Sequence, residues 1–162
     1  MDHPKPTKIT DEKAGLIKAE RYCAYQERAQ QEVRDKLYEW GLWPEAVENI
    51  IVQLISSNFL NEERFSKAYA LGKFRQKGWG KIRIKQGLKL KKVPDVLIRK
   101  ALQQIDGDEY EKTLTDILTR KARTVNEKDA FKRRYKLQQY AFGRGFEADI
   151  INDILHQMGL KN

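Results

Sequence analysis

Cysteine is nearly absent from this chain of 162 residues. Cys23 is the only one, so no disulfide can form within the chain, which fits a reducing compartment such as the cytoplasm. A catalytic cysteine would need a neighbouring histidine, and the two histidines, His3 and His156, lie near opposite ends of the sequence. We therefore expect Cys23 to be a small residue that packs between helices.

Long apolar runs are also missing. No stretch approaches the roughly 18–20 apolar residues that a membrane-spanning helix requires. The opening residues, MDHPKPTKIT, lack the apolar middle of a secretion signal. We expect residues 1–9 to form a short flexible tail on a soluble protein.

Signatures of enzymes are absent as well. The chain contains no G-x-x-x-x-G-K-[ST] phosphate loop and no histidine and cysteine cluster at metal-binding spacing. Glu62 and Glu63 could be a nuclease pair, but acids directly after Asn61 are typical of the first turn of a capped helix. We expect neither catalytic activity nor a cofactor or metal.

Positive charge is abundant, and its distribution is uneven. Of the net charge of +9, residues 1–60 contribute −2 and residues 106–162 contribute +1, whereas residues 61–105 carry 13 basic and 3 acidic side chains. Between residues 64 and 94 there is no acid. A local excess of this kind is the electrostatic footprint of a polyanion partner.

One apolar pattern occurs three times along the chain, at intervals of 51 and 53 residues. Each copy has apolar residues at i, i+1, i+4, i+5 and i+8, which form one face of an α-helix. Further helical patterns precede the copies, roughly at 11–28, 61–77 and 107–124. The copies are Ala46, Val47, Ile50, Ile51 and Leu54, then Leu97, Ile98, Ala101, Leu102 and Ile105, then Ile150, Ile151, Ile154, Leu155 and Met158.

This spacing predicts an all-α fold of three tandem three-helix repeats that form an elongated, curved helical array. The predicted boundaries are 10–59, 60–106 and 107–162. A unit of about 50 residues has a weak core by itself. We therefore expect neighbouring repeats to support one another.

The segment 81–92, KIRIKQGLKLKK, allows two interpretations. Its alternation of apolar and basic residues fits a β-hairpin, whereas the repeat aligns it with residues 30–41, QQEVRDKLYEWG, a plain helical pattern. We favour a helix that buries Ile84 and Leu88 and carries lysines on the adjoining side. Gly87 would cost up to about 1 kcal/mol within that helix, unless its lack of a side chain admits a close neighbour.

Several motifs resemble those of the RecX family of bacterial recombinase regulators, over nearly the whole chain. Residues 27–42, ERAQQEVRDKLYEWGL, resemble R-S-x-x-E-L…K-L…K-G-F of that family, and residues 59–69, FLNEERFSKAY, are similar to its φ-[DN]-[DE]-x-R-F-A-x-x-[FY]. Residues 77–84, KGWGKIRI, resemble K-x-x-G-x-x-R-I, and residues 145–151, GFEADII, resemble G-F-x-x-[DE]-x-I. The chain departs from the family pattern at Ala29, Ser66 and Lys92, where serine, alanine and glycine are usual.

The resemblance implies a partner and a role. RecX-like proteins bind the recombinase RecA, mainly as its nucleoprotein filament on DNA, and usually restrain strand exchange, filament growth, ATP hydrolysis and co-protease activity. They lie along the helical groove of the filament, which suits an elongated array. The resemblance therefore implies a cytoplasmic monomer that acts in recombination and DNA repair, without chemistry of its own.

The basic block is the strongest functional signal outside the resemblance. Lysine offers a mobile point charge for phosphate, so we expect contacts with single- or double-stranded DNA that are blind to base sequence and sensitive to salt. The other interpretation of the block is a plain solvated face. The candidate residues for the filament and DNA are Lys73, Arg75, Lys77, Lys81, Arg83, Lys85, Lys89, Lys91 and Lys92.

A second basic cluster occurs in the third repeat, where the local charge is almost balanced. Residues 128, 132 and 136 share one helical face. We consider this cluster a weaker candidate for binding. Its members are Lys128, Lys132, Arg133, Arg134 and Lys136.

Three tryptophans invite a base-stacking hypothesis. Trp79 is the best candidate, because it stands between two glycines just before the basic helix. For Trp79, as for Trp40 and Trp43, we favour a role in closing contacts between packed helices, which is common for large aromatic residues.

Two other functions fit parts of the sequence. A free-standing DNA binder of the helix-turn-helix kind would use the same basic helix after a glycine turn, but this helix lacks Asn, Ser and Thr at its start for reading base edges. A helical scaffold for an acidic protein would use the charge block without any nucleic acid.

Overall fold

A computed structural model of the chain describes residues 8–9 and 11–160. These residues form nine α-helices and no strand. The helices group into three consecutive triplets, which confirms the all-α tandem-repeat prediction. Their bounds are α1 Glu12–Tyr25, α2 Gln30–Glu39, α3 Pro44–Ser56, α4 Glu62–Lys77, α5 Lys81–Leu90, α6 Asp95–Gln103, α7 Gly107–Thr124, α8 Ala130–Gly143 and α9 Ala148–Gln157.

Local sequence signals set where the helices begin. The side chains of Asn61 and Asp106 each accept a hydrogen bond from the backbone N–H three residues on, at 2.9 and 3.0 Å, which caps α4 and α7. Pro44 is the first residue of α3, as expected for a residue that lacks an N–H. Pro94 lies one residue before α6 rather than in its first turn.

The segment 81–92 is helical over Lys81–Leu90, so the hairpin interpretation is wrong and the repeat-based one is right. Ile84 and Leu88 are fully buried. Gly87 faces Tyr69 of α4, whose hydroxyl oxygen would lie 2.1 Å from a Cβ at this position. The glycine therefore admits a close neighbour, which explains its presence inside a helix.

Two hydrophobic cores hold the three repeats. The first repeat has its own core, which includes Leu37, Ile50 and Leu54. The second and third repeats share one core that runs through both of them and includes Phe74 and Leu114. The second repeat bonds to both of its neighbours, whereas among the described residues no hydrogen bond or ion pair joins the first repeat to the third. The curvature of this tandem array stays a prediction.

The second and third repeats meet through their backbones. The Gly80 N–H donates to the Arg144 carbonyl, and the Ile82 N–H donates to the Gly145 carbonyl, both at 2.9 Å. A Cβ on Gly80 would lie 2.3 Å from the Gly145 carbonyl carbon. Only a residue without a side chain allows this approach.

Tyr110 of α7 fills the same junction. Its ring packs between Phe74 and Phe146, with centroid distances of 5.6 and 5.1 Å. The hydroxyl accepts a hydrogen bond from the Lys81 N–H at 3.0 Å and donates one to the Glu147 carboxylate. One side chain thus ties the start of α5 to the start of α9.

Polar contacts link the first repeat to the second. The Gln30 N–H donates to the Glu62 carboxylate at 2.8 Å, and Arg64 Nε lies 2.6 Å from Glu27 Oε1. Glu62 stands in the first turn of α4, as the capped-helix interpretation predicts, and burial raises the pKa of its carboxyl group. Its carboxylate is engaged in holding two repeats together.

Cys23 lies in the first core with 6% of its surface exposed. Burial raises the pKa of its thiol to about 11. The thiol is therefore protonated at neutral pH, as suits a packing residue.

The predicted flexible tail lies mostly outside the described residues. At its end, the Ile9 N–H donates to the Trp40 carbonyl at 2.8 Å, so this residue is attached to the first repeat. Among the helices of residues 8–9 and 11–160, none has the length and apolar character needed to cross a bilayer.

Candidate nucleic-acid interface

The α5 helix carries exposed lysines of the basic block that the sequence predicts to bind a polyanion. Because Ile84 and Leu88 are buried in the core shared by the second and third repeats, the adjoining flank of the helix faces outward. Lys85 and Lys89 lie exposed on that flank. Lys92, also exposed, lies in the turn that follows the end of α5. None of these three lysines forms an ion pair with any described residue. We name Lys85, Lys89 and Lys92 the lysine face.

Lys92 has an unusual backbone conformation. Its φ angle is 59°, in the left-handed region that disfavours residues with a Cβ. The matching positions of the other two repeats hold Gly41 and Gly145, with φ of 96° and 97°. A lysine therefore occupies a turn position where the sister repeats have glycine.

Lys81, at the start of α5, is engaged within the protein. Its Nζ lies 4.9 Å from the centroid of the Tyr110 ring, and its backbone N–H bonds to the hydroxyl of the same tyrosine. Although helical spacing places it on the same side of α5 as Lys85 and Lys89, it is half-buried at the junction of two repeats.

Lys73 and Arg83 gather around Trp79. Their charged groups lie 4.9 and 4.3 Å from the centroid of the indole ring, within the range of a cation–π interaction. The half-buried ring also packs against the shared core. Its contacts fit the helix-closing interpretation of Trp79 and hold two cations of the basic block against its ring.

The remaining predicted residues of the block differ in their surroundings. Arg75 Nε lies 3.0 Å from Glu109 Oε1, and Lys91 Nζ lies 3.5 Å from Glu32 Oε2. Lys77 is exposed at the end of α4 and makes no ion pair with a described residue. Two of the nine candidates are thus paired with acids from adjacent repeats. The block as a whole keeps an excess of positive charge.

In the second predicted cluster the two arginines are engaged within the third repeat, and the three lysines are exposed. Arg134 is buried and donates to the Leu160 carbonyl and to Asn152. Arg133 donates to the carbonyls of Ala122 and Val125, so both arginines stabilise the third repeat from within. The Lys136 ammonium lies 3.4 Å from a Glu127 oxygen, and Lys128 and Lys132 are exposed.

Trp40 and Trp43 differ in their packing. Trp40 packs on the first core and meets the edge of the Tyr22 ring at a centroid distance of 6.1 Å. Trp43 directly precedes α3 and is 45% exposed. The helix-closing interpretation holds for Trp40.

The sequence patterns do not point to a further set of three basic residues near the block. Arg120 and Arg144 line two adjoining cavities at the junction of the second and third repeats. Lys121 lines one of these cavities, and Arg75 and Lys77 line the other. Lys77 and Arg144 are 67 residues apart, so no local pattern connects them. The net charge of the third repeat does not reveal them either, because that repeat as a whole is nearly neutral.

No group of three or more histidine, cysteine, aspartate or glutamate residues within the described ranges could hold a metal ion.

Comparisons with known proteins agree with this architecture. Models of the first, second and third three-helix domains of RecX match residues 17–54, 61–102 and 108–155. The regulatory protein RecX of Haemophilus influenzae strain PittGG is 30% identical over 135 residues, which cover 83% of this chain and 88% of that protein. The chain belongs to the RecX family.

Other relatives fit the assignment. The regulatory protein RecX of Bacillus licheniformis is 27% identical over 155 residues, and this chain spans 58% of its length. The crystal structure of RecX from Lactobacillus salivarius superposes with a TM-score of 0.85, at 23% identity, over 92% of this chain and 97% of that one. At this identity the superposition supports the RecX fold alone.

Proposed function

We propose that this RecX-family chain binds RecA and its nucleoprotein filament and restrains filament growth, ATP hydrolysis, strand exchange and co-protease activity. It acts as a cytoplasmic monomer in recombination and DNA repair. The lysine face carries the proposal, because three exposed cations with no acidic partner suit a surface rich in phosphate. The match to all three RecX domains supports RecA as the protein partner.

The arrangement of the lysine face favours contact with phosphate over reading of bases. Lys85 and Lys89 are one helical turn apart, and each presents a mobile ammonium group rather than a planar fork. Contacts of this kind fix position on the DNA and are blind to its sequence. If the three lysines neutralise three phosphates, the slope of log K against log salt should be about −2 to −3 from this face.

The test is the DNA-dependent ATPase of RecA, measured across a salt series with the chain added at substoichiometric to stoichiometric amounts. We expect the rate of ATP hydrolysis to fall with added chain, and the inhibition to weaken as salt rises. Co-sedimentation with the filament should follow the same salt dependence. An unchanged ATPase together with no co-sedimentation would refute the proposal.

A free-standing helix-turn-helix DNA binder is a weaker alternative. Such proteins insert the start of the second helix into the major groove. Here that start is occupied, because the Lys81 N–H bonds to Tyr110 and Gly80 lies against Gly145. Titration of random and selected duplexes without RecA separates the two functions, since a preference of several kcal/mol for one sequence would favour the repressor.

An acidic protein could also be the partner of the lysine face. Nuclease treatment distinguishes this case from binding to DNA. Binding to the filament should weaken when its DNA is digested, whereas binding to an acidic protein should persist.

A further inference from the structure

We propose that the groove between the second and third repeats is a phosphate-binding site, separate from the lysine face. It consists of the two adjoining cavities, with volumes of about 440 and 380 Å³. Ile117, Arg120 and Arg144 line both of them. We name this space the junction groove. The inference stands independently of the proposed action on RecA.

The junction groove has a strong excess of positive charge. Among its lining residues, five are basic and one, Glu109, is acidic. Glu109 is engaged by Arg75, whose Nε and Nη2 donate to its two carboxylate oxygens at 3.0 and 3.2 Å. The other four cations therefore lack an acid within the groove. They are Lys77, Arg120, Lys121 and Arg144.

Two of these cations are held in place without being neutralised. Arg144 Nη2 donates to the Lys77 carbonyl, and the Arg144 guanidinium lies 5.8 Å from the centroid of the Tyr140 ring. Lys121 Nζ lies 4.6 Å from the same centroid. Carbonyl and aromatic contacts orient a cation and leave its charge available, which is the arrangement that binding of an anion requires.

One donor in the groove has no partner. Arg144 Nε is buried and forms no hydrogen bond within the described residues. A buried N–H group without an acceptor is destabilising and uncommon in native proteins. Because this atom is closed off from solvent, a bound anion would supply the missing acceptor only after the Arg144 side chain turns toward the groove.

The chemistry of the groove suits a phosphate group. Arginine binds phosphate oxygens in pairs through its planar fork, and both Arg120 and Arg144 reach both cavities. Thr113 also lines the groove, whereas the Thr124 hydroxyl donates to the Lys121 carbonyl at 2.9 Å. An anion bound in the groove would also reduce the repulsion among its like-charged side chains.

The ligands of this site come from two repeats. Lys77 belongs to α4 of the second repeat, whereas Arg120 and Arg144 belong to the third. A phosphate bound here bridges the repeats and stabilises their relative position, because a ligand that binds only the folded junction shifts the unfolding equilibrium. Phosphate binding should therefore raise the melting temperature.

The probes are inorganic phosphate, pyrophosphate and a single-stranded oligothymidylate, each added to the full chain at constant ionic strength without RecA. Binding is measured by calorimetry and by the shift in melting temperature. The test variant is the pair Arg120→Gln and Lys121→Gln, and the matched control is Arg21→Gln with Lys13→Gln, an exposed arginine and lysine of α1 in the first repeat. Circular dichroism checks that both remain helical.

We expect at least one probe to raise the melting temperature of the native chain by several degrees. The Arg120 and Lys121 variant should bind that probe about tenfold more weakly or worse, and the control should bind pyrophosphate as the native chain does. Tight binding of free phosphate or pyrophosphate would identify a small anion as the ligand. Binding of the oligonucleotide alone, with the same dependence on Arg120 and Lys121, would identify a nucleic-acid backbone.

Two results would overturn the inference. The first is that no probe binds or raises the melting temperature. The second is that, for every probe, the Arg120 and Lys121 variant binds as well as the native chain or as well as the control. Because RecA is absent from the assay, neither result bears on the proposed regulation of the recombinase.

Discussion

Replacing Gly80 by alanine tests the junction between the second and third repeats. The added Cβ would lie 2.3 Å from both the carbon and the oxygen of the Gly145 carbonyl and 2.4 Å from the Phe146 nitrogen. All three are backbone atoms, so no side chain can rotate away. To restore a distance of 3.0 Å, the shortest that real Cβ atoms tolerate, the two turns must separate by about 0.7 Å.

This movement breaks hydrogen bonds as well as packing. The bonds from the N–H groups of Gly80 and Ile82 to the Arg144 and Gly145 carbonyls are 2.9 Å long, and they would lengthen to about 3.6 Å, beyond the range of a hydrogen bond. Each lost bond costs about 0.5–1.5 kcal/mol, and more where a donor is left buried. Strain in the packed core adds about 1–3 kcal/mol. We expect a total loss of about 2–6 kcal/mol in the free energy of unfolding.

Urea denaturation followed by circular dichroism measures this loss. Gly72→Ala is the matched control, because Gly72 lies inside α4 with no atom within 4 Å of its added Cβ. The control should be neutral or gain up to about 1 kcal/mol, since alanine favours a helix over glycine. Equal stabilities of the Gly80 variant, the Gly72 variant and the native chain would refute the proposed backbone contact between repeats.

Three further predictions address single residues. Lys92→Gly should raise the free energy of unfolding by about 0.5–1 kcal/mol, because glycine adopts the left-handed backbone without a steric penalty; a loss measured in urea would contradict this. Tyr110→Phe should lower it by about 1–3 kcal/mol, because the Lys81 N–H and the Glu147 carboxylate lose a shared partner, and an unchanged urea midpoint would argue against that role. The Cys23 thiol should react slowly with a disulfide reagent at pH 8 in the folded chain and rapidly in urea, because its raised pKa, about 11, keeps it protonated; rapid reaction of the folded chain would show that it is not buried.

Periodicity predicts the helical fold well because each repeat has the same apolar spacing. The upstream helices expected at 61–77 and 107–124 occur at Glu62–Lys77 and Gly107–Thr124. The first, expected over 11–28, ends at Tyr25, since residues 26–29 form the turn that meets the second repeat. Alignment between repeats also resolves 81–92, whose local alternation alone would favour a hairpin.

Local sequence patterns do not predict which basic side chains are exposed and which are engaged within the protein. Arg134 has the same charge as Lys132 but lies inside the third repeat, where the Leu160 carbonyl and Asn152 accept its hydrogen bonds. Lys81 is turned toward Tyr110, which stands 29 residues later in the chain. Charge spacing places such residues on a face of a helix, but only the packing of distant segments decides which of them reach solvent.

The lysine face is tested most directly by charge reversal. Lys85→Glu with Lys89→Glu changes the net charge by −4 and leaves the junction contacts of Lys81 intact. The matched control, Lys13→Glu with Lys112→Glu, makes the same change at exposed lysines of the first and third repeats. Anisotropy or co-sedimentation then measures affinity for RecA filaments on single-stranded DNA.

We expect the Lys85 and Lys89 variant to lose about tenfold or more in filament affinity at low salt, because each change replaces attraction to phosphate by repulsion. The Lys13 and Lys112 variant should stay within about twofold of the native chain, since its charges lie away from the lysine face and screening limits their reach. Equal affinities for the native chain and the Lys85 and Lys89 variant would contradict the account, because the face would then be merely solvated.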